Sequence, residues 1–267
     1  MANCGDASEF FGQRKPEFSG GDGGFQEHKM RLTFIEAKTL DEAWFKCLFE
    51  LFQAEHCTYL VEQGSYEGDT RREFDWITVH IKTPGGAPGS DKGSLRRLIP
   101  TVPYGVPPPC DEEGVLRYFS EYLFCEQKRP GEQYTYGSRL CRRMDGKSQI
   151  QIVIDRYRKG HGTNQLVLQV AEPEDLLLED PPCLRHIDTR IRDGKLHFMP
   201  YFRSWDLWGG FPLNLAGIQL LKEYMASEIG VEDGEIIATS KGLHVYGHAE
   251  DVARMRAGKK KGAGRPG

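Results

Sequence analysis

The 267-residue sequence lacks any uninterrupted apolar run of membrane-spanning length, and it lacks a basic segment followed by an apolar run at its N-terminus. We therefore expect a cytoplasmic protein without a membrane partner. An excess of positive charge is also missing, because 35 basic residues are set against 39 acidic ones along the chain. Without a bulk basic field we expect no nucleic-acid partner, whereas a small anionic ligand is compatible with this charge.

Cysteine pairs at the spacing of metal or redox sites are missing too. The seven cysteines are scattered and odd in number, with no CxxC pair among them. This pattern argues against a disulfide framework and against a zinc cluster, so we expect reduced cysteines and no bound metal. His186 and His197 flank a predicted turn without a third ligand in register, and we expect them at the surface. The cysteines are Cys4, Cys47, Cys57, Cys110, Cys125, Cys141 and Cys183.

The two ends of the chain differ in composition from the part between them. Residues 1–28 are rich in Gly, Ser, Asp and Glu, which predicts a flexible leader. Residues 258–267 read GKKKGAGRPG, which predicts a basic flexible tail. Residues 29–257 are enough for one large catalytic domain with a buried core.

Strand and helix patterns are mixed along this domain. Thr39 and Glu42 predict a capping box that opens a helix. Asp193-Gly194 predicts a tight hairpin, which would bring Cys183 and Arg203 to the same open end. We predict a single α/β (α+β) domain with a mixed, twisted sheet flanked by helices. The predicted strands are 31–37, 75–82, 165–170, 184–192, 195–203 and 235–246, and the predicted helices start at residue 40 and cover 112–125, 150–157 and 215–229.

Four short motifs follow one another in the last third of the chain. Arg203 follows Cys183 by twenty residues. Asn214 follows Asp206 by eight residues, and His244 follows Asn214 by thirty. This order and spacing resemble the signature of the thymidylate synthase and nucleotide hydroxymethylase family, most closely its compact archaeal-type branch. The motifs are Pro181-Pro182-Cys183, Arg203-Ser204-Trp205-Asp206, Gly210-Phe211-Pro212-Leu213-Asn214 and His244-Val245-Tyr246.

The resemblance implies transfer of a one-carbon unit from 5,10-methylenetetrahydrofolate to C5 of a pyrimidine nucleoside monophosphate. A pyrimidine C5 becomes nucleophilic only after a group has added at C6, and a thiolate adds well. Cys183 is the implied nucleophile, and a guanidinium at Arg203 would favour its thiolate. The resemblance also assigns Arg203 and Ser204 to the phosphate.

Further site residues follow from the same resemblance. Asn214 carries both a donor and an acceptor, so it can pair with the O4 and N3–H edge of uracil, whereas an aspartate there would favour cytosine. His244 and Tyr246 are two residues apart on a predicted strand and would hold the sugar 3′ hydroxyl. Asp206 belongs to the same substrate site and would face the pterin ring of the folate.

The upstream half contributes fewer candidates. Glu121 resembles the family's general acid/base, and Tyr136 resembles the tyrosine near the C5 proton. Either Arg71 or Arg72 resembles a phosphate-binding arginine, and the sequence does not choose between them.

Several positions depart from the family pattern. Leu184 replaces a histidine and Phe202 replaces a glutamine, while Asn164-Gln165 stands where two arginines reach the phosphate across the family's dimer. No tryptophan lies within 122–135, and about twenty residues follow Tyr246. We therefore expect less shielding of the transferred carbon from water than in the common synthases. The basic residues that could replace the missing pair are Arg156, Arg158 and Lys159.

Three functions stay open on these grounds. The first is a thymidylate synthase that converts dUMP to dTMP, and the second is a 5-hydroxymethylase acting on dCMP, CMP or dUMP. The third is a non-catalytic nucleotide-binding protein. A Cys–His hydrolase would need a histidine such as His186 beside Cys183.

By resemblance we also expect a homodimer packed sheet against sheet.

Overall fold

The computed structural model describes residues 29–54, 56–64 and 66–259. The predicted leader 1–28 and residues 260–267 of the predicted tail lie outside the described residues. Twelve strands occur in the described part of the chain. They are β1 Leu32–Ala37, β2 Cys57–Leu60, β3 Thr70–Glu73, β4 Trp76–Ile81, β5 Arg143–Met144, β6 Lys147–Ser148, β7 Val167–Gln169, β8 Leu184–Arg192, β9 Lys195–Phe202, β10 Trp205–Asp206, β11 Glu232–Ser240 and β12 Leu243–Tyr246.

The strands form a six-stranded mixed sheet in the order β1-β4-β11-β9-β8-β7 and a four-stranded sheet in the order β10-β12-β3-β2. β5 and β6 make a separate short hairpin. The mixed α+β architecture that the sequence predicts is confirmed. Its helices are α1 Leu40–Gln53, α2 Glu112–Arg117, α3 Tyr136–Leu140, α4 Gln149–Lys159, α5 Gly210–Ile229 and α6 Gly247–Arg256, with a π-helical segment Tyr118–Leu123 and 3₁₀ turns Leu95–Leu98 and Pro173–Leu177.

Helix α1 shows how local sequence sets an element. The Thr39 hydroxyl accepts a hydrogen bond from the Glu42 amide, as in the predicted capping box. The Glu42 carboxylate reaches the Lys38 amide, one residue before the position that a full box requires. The buried face is the predicted apolar stripe, and it packs on β1 and β4. Its members are Leu40, Ala43, Trp44, Cys47, Leu48 and Leu51.

The predicted hairpin is confirmed and positions the motif cysteine. Asp193 and Gly194 both have positive φ, 49° and 71°, which the tight turn between β8 and β9 requires. At the other end of the hairpin, the Arg203 amide donates to the Cys183 carbonyl at 2.8 Å. The two residues are therefore held side by side by strand pairing.

Helix α5 crosses the inner face of the large sheet and ends where the sequence predicts. Gly230 adopts φ 86°, the left-handed conformation that closes many helices. The helix contacts β9, β11, α1 and α4, so it forms the centre of the core.

Two predicted elements are wrong in extent. The predicted strand 235–246 is two strands in different sheets, because the chain leaves the large sheet after Ser240 and enters the small sheet at Leu243. There the Phe74 amide donates to the Leu243 carbonyl, and the Trp205 amide donates to the Gly242 carbonyl. The helix 112–125 is α2 followed by the π-helical segment. The first correction moves His244 and Tyr246 beside β10 and β3.

The outer face of the large sheet carries apolar and aromatic side chains. Leu32 and Phe34 of β1 are 79% and 63% exposed, and the rings of Trp76 and Tyr201 stack at 5.9 Å. Strand register places these residues on one side of the sheet, together with Met199 and Ile237. No helix in the described ranges is long and apolar enough to span a membrane.

Candidate active site

The cavity beside Cys183 measures about 460 Å³, within the range of roughly 300–1,000 Å³ that small-molecule sites occupy. We call it the Cys183 cleft. It brings together seven predicted site residues from separate strands and loops. Its lining is Gln63, Gly64, Tyr66, Arg71, Glu179, Asp180, Pro181, Cys183, Arg203, Ser204, Asp206, His244 and Tyr246.

The Cys183 thiol is subject to two opposing influences. Burial raises its pKa above the ordinary cysteine value, and the Arg203 guanidinium opposes this rise. Burial prevails, so the guanidinium alone does not produce a thiolate at neutral pH. The Arg203 guanidinium also donates to Asp180 at 3.0 Å and to the Pro181 carbonyl, which holds the loop before the cysteine.

Strand β3 separates the two candidate phosphate arginines. Arg71 points into the Cys183 cleft and donates to the Tyr246 hydroxyl at 2.9 Å. Arg72 points to the opposite side and lies 3.9 Å from the Glu250 carboxylate. The separation follows from the alternation of side chains along a strand.

His244 is buried, with 1% of its surface exposed. Its Nδ1 is 2.8 Å from the Gly242 carbonyl, so Nδ1 carries the proton and Nε2 is an acceptor. Nε2 has no hydrogen-bond partner among residues 29–54, 56–64 and 66–259. Burial, reinforced by Arg71, lowers the pKa of His244 to about 3. The ring is therefore neutral, with one acceptor available to a ligand.

Asp206 joins the cleft to helix α5. Its carboxylate accepts from the amides of Trp208 at 2.9 Å and of Gly209 and Gly210 at 3.1 Å. Burial raises its pKa, and these hydrogen bonds oppose the rise. The first turn of the helix is thus fastened to β10, and the carboxylate keeps further acceptor capacity on its cleft side.

Four tyrosines lie on the inner side of Cys183, and only Tyr136 among them was predicted. The Tyr136 hydroxyl accepts from the Leu184 amide at 3.2 Å. Burial is the main cause that raises the pKa of each phenol, and the nearby Cys183 thiol adds to the rise. The i, i+4 spacing of two of them was the available sequence signal. The group is Tyr118, Tyr122, Tyr134 and Tyr136.

Asn214 lies behind the cleft, in the first turns of α5. Its Oδ1 accepts from the indole N–H of Trp205 at 3.0 Å. An indole nitrogen can only donate, so the oxygen end of the amide is identified and its NH₂ group faces the other way.

Glu121 is not brought into the Cys183 cleft. Half of its side chain is exposed, and the carboxylate pairs with Arg129. The wider π-helical turn aligns Tyr118 with Tyr122 and leaves the intervening Glu121 on the outer side. Glu121 instead lines a second cavity of about 240 Å³, which we call the Leu213 cavity. Its lining is Gly114, Arg117, Tyr118, Glu121, Tyr122, Arg129, Glu132 and Leu213.

Two rings that the sequence did not single out pack on Tyr246 at the Cys183 cleft. Tyr66 packs 4.4 Å from the Tyr246 ring, and His248 stacks on Tyr246 at 5.6 Å. Asp69 accepts from His248 at 2.7 Å. These contacts position Tyr246 and Arg71 over the cleft.

Histidines on the large sheet do not contribute. His186 packs against Tyr201 rather than against Cys183. Within the described ranges, no group of three or more His, Cys, Asp or Glu side chains could hold a metal ion.

Comparison with known proteins identifies the family to which this chain is similar. The sequence model of the family described as thymidylate synthase matches residues 114–262. A relative from Methanosarcina acetivorans is 30% identical over 219 residues, 82% of this chain and 91% of that protein. A relative from Methanothermobacter thermautotrophicus is 33% identical over 219 residues, 79% of this chain and 92% of that protein. Both relatives carry the name of a thymidylate synthase, given provisionally.

The fold has a solved counterpart. The thermostable thymidylate synthase A from Bacillus subtilis superposes with a TM-score of 0.60 at 15% identity, covering 84% of this chain and 86% of that one. At this identity the likeness concerns the fold alone. The family match and the two archaeal relatives carry the assignment: this chain belongs to the thymidylate synthase family of one-carbon transferases.

Proposed function

We propose that this protein transfers a one-carbon unit from 5,10-methylenetetrahydrofolate to C5 of dUMP, giving dTMP, with Cys183 adding to C6 of the base. The observation that carries the proposal is the Cys183 cleft itself. It brings together a half-buried cysteine, the guanidiniums of Arg71 and Arg203, and a neutral histidine with an unused acceptor.

The phosphate would bind at the basic wall of the cleft. Arg203 and Arg71 both face it, and Ser204 adds a hydroxyl. The Nε of Arg71 is buried without a hydrogen-bond partner in the described part of the chain, so an anion would satisfy it. Planar guanidiniums bind phosphate oxygens through paired hydrogen bonds. Arg72 faces away and is left out of this proposal.

The sugar and the base would extend from there towards α5. The free Nε2 of His244 accepts from a sugar hydroxyl, and the Tyr246 hydroxyl lies beside it. Asn214 reads the base edge, with its NH₂ group as donor and the second lone pair of Oδ1 as acceptor. Tyr136, bonded to the amide that follows Cys183, is our candidate for proton transfer at C5.

The folate would bind across Asp206 and the Leu213 cavity. When bound, it supplies the one-carbon unit. The rings of Tyr118 and Tyr122 and the Leu213 side chain form apolar walls that suit a planar heterocycle. Arg117 and Arg129 lie at the same cavity and suit the carboxylates of a glutamate tail.

A homodimer would cover the outer face of the large sheet. This face exposes Leu32 and Phe34 and carries the half-buried pair Trp76 and Tyr201. A contiguous apolar surface of this kind is typical of a protein interface. We therefore propose the sheet-to-sheet dimer that the resemblance implies.

A 5-hydroxymethylase is the second candidate. Four phenols lie near Cys183, and the hydroxyl of Tyr118 forms no hydrogen bond of normal geometry within the described ranges. A site with free hydroxyls can hold a water molecule. Capture of the transferred carbon by that water would give the hydroxymethyl product instead of the methyl product.

Product analysis tests both candidates. Purified protein is incubated with methylenetetrahydrofolate and, separately, dUMP, dCMP, UMP or CMP, and products are identified by mass spectrometry. Methylated dUMP with dihydrofolate supports the synthase. A hydroxymethylated nucleotide with tetrahydrofolate supports the second candidate. If the protein binds nucleotide but makes no product from any of the four nucleotides, both candidate reactions are contradicted. The protein would then be a non-catalytic nucleotide-binding protein.

Cys183→Ser is the variant for this assay. It should reduce turnover by about 10³-fold or more, because the oxygen nucleophile is far weaker than sulfur. Cys141→Ala, which removes a half-buried cysteine after α3, is the matched control and should keep the wild-type rate. Full turnover by Cys183→Ser would sink the covalent mechanism.

A further inference from the structure

Tyr118 is a buried tyrosine whose hydroxyl forms no hydrogen bond of normal geometry with the residues the structure describes. Burying a hydroxyl without a hydrogen bond costs folding free energy, and native structures seldom retain such a group. A phenol near Cys183 whose hydrogen-bonding capacity is not fully used is therefore a candidate for contact with the ligand.

The ring of Tyr118 is held tightly. A Cβ added at Gly217 of α5 would come within 2.6 Å of Tyr118 Cδ1 and 2.7 Å of Cε1. On its other side the Tyr122 ring stacks at 5.6 Å. Glycine in the middle of a helix is unfavourable for the helix itself, so its presence here makes room for the ring. The hydroxyl position is thus determined by packing.

The hydroxyl points towards the group that reads the base. The oxygen of Asn214 accepts from Trp205, so a hydrogen bond from Asn214 to the Tyr118 oxygen comes from the NH₂ group of the amide. Burial raises the pKa of Tyr118 well above its ordinary value, Tyr122 and the Cys183 thiol add to the rise, and Asn214 opposes it. An opposing effect of this kind is that of an N–H directed at the phenol oxygen.

With the Asn214 N–H directed at its oxygen, the Tyr118 proton is left to donate. We propose that Tyr118 donates this hydrogen bond to the 4-oxo group of a uracil ring bound between Asn214 and Cys183. The inference rests on the proposed function, and it adds Tyr118 to the residues that contact the base.

The addition of the Cys183 sulfur to C6 explains why the site would prefer uracil to cytosine. When the Cys183 sulfur forms a bond to C6, the C5–C6 electron pair moves towards C5 and O4, and negative charge develops on O4. A hydrogen bond from Tyr118 stabilises that charge without transfer of its proton. Because burial keeps the phenol protonated, it is a donor throughout. The 4-amino group of cytosine presents a second donor, so the site favours uracil.

Tyr118→Phe removes the hydroxyl and keeps the ring. Binding of dUMP and dCMP is measured by calorimetry, and turnover of dUMP is measured in the presence of methylenetetrahydrofolate. We expect kcat for dUMP to fall about 100-fold and the preference for dUMP over dCMP to fall about tenfold. Tyr157→Phe is the control, because it also removes a buried hydroxyl, which is bonded to Thr189 of β8 and does not line the Cys183 cleft, and it should change neither quantity.

A ligand-side measurement makes the test independent of the folding of the variant. The pyrimidin-2-one analogue of dUMP lacks the 4-oxo group. Wild-type protein should bind it about tenfold more weakly than dUMP, and Tyr118→Phe should bind the two more nearly alike. Equal binding of both ligands by wild-type protein overturns the inference.

The outcomes separate the inference from the proposed function. If wild-type protein converts dUMP and Tyr118→Phe retains its kcat and base preference, Tyr118 has no such role and the function stands. If wild-type protein makes no product from any nucleotide, the function fails, and the binding comparison alone decides the role of Tyr118. Absence of nucleotide binding overturns both.

Discussion

The amide of Arg203 donates a 2.8 Å hydrogen bond to the carbonyl of Cys183, so the cation and the thiol share one end of a hairpin. The guanidinium lowers the pKa of the thiol, but the burial of Cys183 raises it more. A buried thiol beside a cation is therefore mostly protonated at neutral pH and depends on the cation for the thiolate that it has.

This balance predicts the pH dependence of alkylation by iodoacetamide. The thiolate is the reactive form, and a raised pKa means that it accumulates only above the ordinary cysteine value. We expect the rate at Cys183 to rise with pH beyond that value. Arg203→Ala should move the profile to still higher pH, whereas Arg203→Lys should move it less, because the positive charge is kept. Peptide mass spectrometry reports the site, and a profile centred at neutral pH would contradict this account.

Arg71 and Arg72 form a matched pair for the phosphate site. Arg71→Ala should weaken dUMP binding by about 10- to 100-fold, the usual loss for a charged hydrogen bond. Arg72→Ala removes the same charge from the other face of β3 and should leave binding within about twofold. Calorimetry with dUMP and with deoxyuridine checks this, because the nucleoside lacks the phosphate and should bind both variants alike. A larger effect of Arg72→Ala on dUMP would reverse the assignment.

Gly217→Ala should lower the free energy of unfolding by about 1–3 kcal/mol, the usual cost of overpacking a core. The new Cβ would lie 2.6 Å from Cδ1 of the Tyr118 ring, closer than side-chain atoms pack, so the ring or the helix has to shift. Gly160→Ala is the control, since nothing lies within 4 Å of a Cβ there and its φ of 167° suits any residue. Urea denaturation measures both, and equal stability of the two variants would be at odds with the tight packing of Tyr118.

Phe34→Glu should convert the proposed dimer to a monomer. Phe34 is 63% exposed on the outer face of the large sheet, so a charge there costs little in an isolated chain and much in an apolar interface. Light scattering coupled to gel filtration gives the mass, and Tyr104→Glu, at a fully exposed aromatic residue in the loop after the first 3₁₀ turn, controls for the same change of one charge. A wild-type monomer would contradict the sheet-to-sheet dimer.

The elements with strong local signals were predicted from the sequence. The apolar stripe of α1, the Asp193-Gly194 turn and the glycine at the end of α5 each depend on neighbours within a few residues. The family and the four motifs around Cys183 were also readable, because their residue types and spacing follow the chain itself. These features needed no knowledge of how distant segments pack.

Long-range packing decided the remainder. The sequence could not choose between Arg71 and Arg72, because the choice depends on which face of β3 meets β12 and the cleft. It joined β11 and β12 into one strand, because the partners that separate them, Phe74 and Trp205, come from elsewhere in the chain. The exposure of Glu121 required the π-helical turn to be seen.

The sequence by itself determined the family, the mixed fold and the order of the chemical groups, since each is expressed in residue type and local spacing. Only the tertiary structure decided which arginine faces the thiol, that burial outweighs Arg203 at Cys183, and that Tyr118 rather than Glu121 lies beside Asn214. Charge and hydrogen-bonding effects depend on distance and burial, and both are set by residues far apart in the chain.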